Sequence, residues 1–177
     1  DDALSAWLPR FGQSARFDAN PQYLRVSTWA DAGPQGVIEG HLLYSPAWLI
    51  TLFDGPALRM DAARQSFQRL GAKIAEHPSY ALATVLDELV TGFYPRLERA
   101  DELLDELEGQ IFLAPAAGQM FRLADLRREL SSLHRLLVPL RDRVKTVVTS
   151  VGGISGISAV VTPWLQTYSE RLEDLVD

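Results

Sequence analysis

Four acids near the end of the chain, Glu170, Glu173, Asp174 and Asp177, recur at i, i+3, i+4 and i+7, one face of a helix. Carboxylate oxygens suit a hard divalent cation such as Mg²⁺, which keeps several of its own waters and takes few protein ligands. One helix face holds such an ion weakly; acids from a neighbouring subunit would strengthen the grip. The three histidines, His41, His77 and His134, have no HxxxH or HExxH spacing. Glu39 and His41 share one face of a strand, so a metal pair is conceivable, but a solvent-exposed pair is the expectation.

Enzymatic chemistry finds no foothold. The chain has no cysteine and no GxSxG elbow around a serine. Gly152, Gly153 and Gly156 follow a helical heptad rather than a strand, with no Lys-Ser/Thr pair behind them, so a linker is expected rather than a phosphate loop. The remaining carboxylates are expected on solvated helix faces with ordinary acidity.

At 177 residues, 47% hydrophobic and 23% charged, the chain can build a core of ordinary size. Its net charge of -6 excludes a nucleic-acid partner, because phosphate binding needs clustered Lys and Arg, whereas an acidic surface draws cations. No run reaches the eighteen apolar residues of a membrane span; the nearest candidate, 154–165, is short and contains Pro163. The acidic start, Asp1 and Asp2, is unlike the basic opening of a secretory signal.

The elements that must position these residues fall into three stretches: an α/β part at 1–78, a long helix pair at 79–150, and a linker with a helix start at 151–177. A short helix is expected at 2–7, then strands at 23–29, 37–44 and 47–53 separated by the turn residues 31–36 and 45–46. An amphipathic helix follows at about 57–75. From 79 to 112 the residues Leu82, Leu86, Leu89, Phe93, Leu97, Ala100, Leu104, Leu107 and Ile111 recur every three or four positions, with Ser79 as expected N-cap. Leu126, Leu130, Leu133, Leu137, Leu140, Val144 and Val147 repeat the pattern after a break at 113–118. Two such stripes predict an antiparallel hairpin, with Asp105 near Arg127 or Arg128 and Glu98 near Arg135. Pro95 and Pro139 lie inside the stripes and are expected to kink them. The last helix starts at Thr162 and Pro163 and has no stop signal before Asp177.

The run YALATVLDELVTGFYP at 80–95 resembles "LLYALLDALVDGYFP" of the CorA family of divalent-cation transporters, and 97–112 is similar to its "LEELEDRLDELEDEVF". LRREL at 126–130 and LVPLRD at 137–142 look like its "LRREL…LLPLRD" helix. LYSPAWLITL at 43–52 resembles its "LG-x-x-x-LVTVH" hairpin, and DDALS at 1–5 its "EDALS". The resemblance implies a cytoplasmic domain with a small mixed sheet flanked by helices, an antiparallel helix pair, and the start of a stalk helix. It further implies a homopentamer at the inner face of the cell membrane, anchored by a C-terminal transmembrane segment and carrying Mg²⁺, Co²⁺ or, in the ZntB branch, Zn²⁺. Its cation-sensing acids fall here on Asp1, Asp2 and Asp87. The stalk motif "YFRDVYDH" is poorly kept: Gln166 or Thr167 stands at its first Asp, leaving Glu170 as substitute. The regulatory ion would be Mg²⁺ or another divalent, with no organic cofactor. The competing expectation is a coiled-coil interaction module with no metal sensing.

Overall fold

The computed structural model describes residues 16–20, 23–57, 59–114, 116–149 and 159–177. Four strands, β1 (Arg16–Asn20), β2 (Tyr23–Asp31), β3 (Val37–Ser45) and β4 (Trp48–Phe53), form one sheet in the order β1-β2-β3-β4. The expected combination of strands and long helices is present. The sheet, however, is antiparallel at every described pairing rather than mixed. Short turns join its neighbours, and short turns can only reverse a strand. The helix expected at 2–7 lies outside the described residues.

Strand alternation sends Leu24, Val26, Ala30, Leu42 and Tyr44 to one face, where all are buried against the helices. Gly40 sits on that face opposite Phe53, whose ring fills the space a side chain would need.

The amphipathic stretch expected at 57–75 is two helices, α1 (Met60–Arg69) and α2 (Gly71–Glu76), meeting at Leu70. Next comes α3 (Ser79–Thr91), the central helix of the molecule. Tyr80, Leu82, Ala83, Val85, Leu86, Leu89 and Val90 bury nearly its whole circumference. Each large aliphatic side chain so buried contributes about 1.5–3 kcal/mol. Ser79 is not an N-cap: Pro78 holds that place without a side-chain bond, and Ser79 is buried in the first turn.

The long stripe at 79–112 also divides. After Gly92 and Phe93 a new helix, α4 (Tyr94–Leu113), begins with Pro95 in its first turn. Proline is well suited there, since its missing N–H has no partner to lose. Pro139, by contrast, lies within one continuous helix, α5 (Ala117–Thr149). A 3₁₀ turn (Ala159–Val161) leads into α6 (Thr162–Val176). One hydrophobic cluster joins the sheet to Leu82, Leu86 and Phe93, to Leu133, Leu137, Leu140 and Val144 of α5, and to Leu165, Tyr168, Leu172 and Leu175 of α6. Tyr80 and Trp164 meet edge to face at 5.3 Å, pinning α3 to the start of α6. No helix among the described residues is long and apolar enough to cross a membrane.

The α4–α5 hairpin is antiparallel, as the stripes predict, but its register differs. Arg96 pairs with Glu129 at 2.5 Å and Arg122 with Glu106 at 3.6 Å. Arg128 instead turns to Asp125 within its own helix at 2.6 Å. The reason lies in the sheet. Arg96 donates to Asp31 at 2.8 Å and to the Gly33 carbonyl at 2.8 Å, and this anchor fixes which part of α5 faces it.

Candidate functional site

An almost wholly apolar helix can carry charge only where a partner waits, and α3 carries two adjacent acids. Glu88 accepts from Arg59 at 2.7 Å and from the Ser66 hydroxyl at 3.4 Å. Arg59, just before α1, is in the left-handed region (φ 69°), which costs a non-glycine residue about 1 kcal/mol or more. Its bond to Glu88 helps hold it there.

Asp87 turns the other way. Arg171 of α6 donates to its carboxylate at 2.5 Å and to the Thr91 hydroxyl at 3.1 Å. Both side chains are about one-third exposed. Burial pushes the Asp87 carboxyl above its ordinary value; Arg171 opposes this and Glu88 adds to it. The expectation that no helix carboxylate is perturbed therefore fails at Asp87. Tyr94 belongs to the same neighbourhood, its phenol raised by burial, lowered by Arg171, and raised by Asp174 and Asp87.

The four acids of α6 do not act as one group. Glu173 accepts from Lys145 of α5 at 2.8 Å, and Asp177 lies 3.7 Å from Arg141. Glu170 and Asp174 are solvent-exposed. Among the described residues no three or more His, Asp or Glu side chains gather closely enough to hold a metal ion. Asp1 and Asp2 lie outside the described residues. Of the four expected sensing acids, then, Asp87 is half-buried and already paired with a cation, and Glu170 faces solvent.

Glu39 and His41 overturn the expectation of an exposed pair: both are buried, at 7% and 4%. Ser27 Oγ lies 3.2 Å from His41 Nδ1, and His41 Nε2 lies 3.1 Å from Glu39 Oε1. With the proton on Nε2, the Ser27 hydroxyl donates to Nδ1, while the contact between Nε2 and the Glu39 carboxylate is electrostatic. Burial lowers the His41 pKa, with Glu39 opposing and Arg25 reinforcing. The order hydroxyl–imidazole–carboxylate matches a hydrolase relay in residue type only. Ser27 is 4% exposed, so no substrate carbonyl could approach its oxygen. The trio is a buried polar tie between β2 and β3.

Sequence reasoning missed the Arg96 junction. Its guanidinium joins the end of β2 to both helices of the hairpin, and its bonds to Asp31 and Glu129 raise its pKa against the opposing effect of burial, keeping it firmly charged. Beside it opens a cleft of about 380 Å³ between the β2–β3 turn and the hairpin, with Arg59, Arg99 and Leu130 on its walls.

The family model described as CorA-like Mg²⁺ transporter protein matches residues 23–175, from the start of β2 to the end of α6. The chain belongs to the CorA-like family. Three solved structures share its fold. The soluble domain of CorA from Methanocaldococcus jannaschii aligns at TM-score 0.75 and 14% identity, covering 94% of this chain and 67% of that one. The ZntB cytoplasmic domain from Vibrio parahaemolyticus RIMD 2210633 aligns at 0.71 and 15%, covering 99% and 70%. The complete CorA magnesium transporter from M. jannaschii aligns at 0.72 and 14%, covering 93% of this chain and about half, 52%, of the transporter. Comparison with curated protein sequences gives no significant match. Two of these structures, described as a soluble domain and a cytoplasmic domain, share their fold with nearly the whole of this chain.

Proposed function

We propose that this chain is the cytoplasmic regulatory domain of a CorA-like divalent-cation transporter, at the inner face of the cell membrane. The observation that carries the reading is the match to a magnesium-transporter family along residues 23–175. In the full-length protein five copies surround the pore. Divalent cations such as Mg²⁺ bridge carboxylates of adjacent subunits, and Asp87 and Glu170 are the described residues assigned to that task.

The switch is electrostatic. A bridging cation offsets repulsion between acidic protomers, and its departure lets them separate. Asp87 suits the role because burial already disfavours its lone charge, so a cation beside it gains more than at an exposed acid. Arg171 supplies that positive charge within one chain, and a divalent ion would share or replace it across an interface. Size-exclusion chromatography with light scattering, with and without millimolar Mg²⁺, tests this. The ion should raise the average mass; an unchanged mass together with unchanged melting would overturn the sensing role.

A second reading has its own support. Lys145 and Arg141 already neutralise Glu173 and Asp177, leaving fewer acids for a metal. On that reading the domain is a helical interaction module, associating equally with and without divalent ions.

A further inference from the structure

Four large apolar side chains stand exposed at one place, the turn between α4 and α5: Phe112 at 90%, Leu113 at 89%, Met120 at 63% and Phe121 at 71%. The turn that presents them is built rather than frayed. Gln119 accepts the Ala116 N–H at 2.8 Å through its side-chain oxygen and donates to the Ala114 carbonyl at 3.1 Å. The Ala114 N–H closes onto the Gln110 carbonyl at 2.9 Å. Exposing four large hydrocarbon side chains around one turn is costly in water and marks a surface that meets something apolar.

The direction of the tip indicates what it meets. Lys145 with Glu173, and Arg141 with Asp177, show that α6 runs antiparallel to α5. As α6 advances it therefore heads towards the beginning of α5, the same way the tip points. From Arg141 back to Ala117 is 24 residues, about 36 Å of helix, so the tip stands well ahead of the end of α6. If α6 leads towards a bilayer, the tip leads α6.

We propose that the Phe112–Leu113 and Met120–Phe121 tip rests in the interfacial layer of the lipid bilayer beside the pore, coupling the hairpin to the membrane surface. The proposal rests on the reading of the chain as a domain of a membrane transporter. The occupant is lipid rather than a second copy of the tip. Two such tips would bring together the flanking acids Asp101, Glu102, Asp105, Glu106 and Glu108, and four side chains bury far less area than the roughly 1,200 Å² of a stable pair. The same acids disfavour anionic headgroups, so the attraction is to the apolar boundary, and its preference for zwitterionic over anionic lipid is greatest at low salt.

The absence of cysteine allows one label at a time. Gly118→Cys at the tip and Gly71→Cys in α2 both open onto free space and accept a solvatochromic dye. The whole chain is tethered by a C-terminal hexahistidine tag on a flexible linker to phosphatidylcholine vesicles containing nickel-chelating and nitroxide-labelled lipids. The dye at 118 should shift to the blue and be quenched several-fold more than the dye at 71, and Phe112→Ser with Phe121→Ser should abolish the difference. Equal quenching at both sites, or quenching unaffected by the double substitution, overturns the proposal. So does a blue shift that follows protein concentration without vesicles, which would assign the tip to a second copy. Failure here leaves cation-dependent association standing; its failure, with lipid contact intact, would remove the sensing role alone.

Discussion

Arg171 and Asp87, 84 positions apart in sequence, form a 2.5 Å ion pair that joins the C-terminal helix to the central helix of the core. It places a cation against Asp87, which among the described residues is the half-buried acid of the family motif. Loss or competition at this point is felt by both helices at once, which is the property a sensor needs.

Arg171→Ala should destabilise the domain by about 1–2 kcal/mol in urea titrations, between the worth of an exposed pair and a fully buried one. The sign with pH follows from the raised Asp87 carboxyl. A neutral Asp87 is favoured by the fold below its unfolded value, and that contribution is lost as pH rises through its folded value. The penalty of Arg171→Ala should therefore be larger at pH 7 than at pH 4. An equal penalty at both would show that Arg171 acts through packing alone.

Arg96 is a stronger test of architecture. Asp31 is 5% exposed, so Arg96→Ala leaves a nearly buried carboxylate with only the Gly33 N–H, and should cost about 3–5 kcal/mol. Arg96→Lys keeps the charge but not the fork that reaches Asp31, Gly33 and Glu129 together, and should retain only part of the stability. Chemical denaturation of the two variants side by side would reveal a purely electrostatic role if lysine restored everything.

His41 gives the fold a pH dependence of its own. Its folded pKa is lowered, so the unfolded chain binds the proton more readily, and stability should fall as pH drops below about 6.5. His41→Gln should flatten that slope between pH 7 and 5. Melting curves across this interval check it, and a wild-type profile with no decline there would refute the burial argument.

Gly40 carries the cost of a close approach. A Cβ there would lie 2.5 Å from the Phe53 ring, so Gly40→Ala should cost about 1–3 kcal/mol. Adding Phe53→Leu should recover much of the loss. A double-mutant cycle with no coupling would mean the ring moves aside freely.

These residues also mark where the sequence is legible. The α5 stripe is readable because seven positions keep one period, and its proline does not interrupt the helix. The division between α3 and α4 is not, because a proline fits a kink and a first helical turn equally well, and only the packing of Phe93 chooses. β1 escapes notice because RFDAN offers just Phe17 and Ala19 as apolar positions. Period two places Glu39 and His41 on one face, but burial of that face depends on what the fold lays over it. Asp87 could be singled out through its motif. Its partner Arg171 could not, since no local pattern joins residues so far apart. The charge pairs across the hairpin were legible in kind but not in register, because the anchor at Asp31 belongs to the sheet.

The most direct measurement is thermal melting of the domain against Mg²⁺ concentration, for the wild type, Asp87→Ala, Glu170→Ala and an acidic control, Glu102→Ala. Binding at ten times the dissociation constant is worth about 1.4 kcal/mol, or about 2–4 °C for a chain of this size. The account predicts that rise for the wild type and the control, and its loss in the Asp87 and Glu170 variants. No rise, or the same rise in all four proteins, would contradict it.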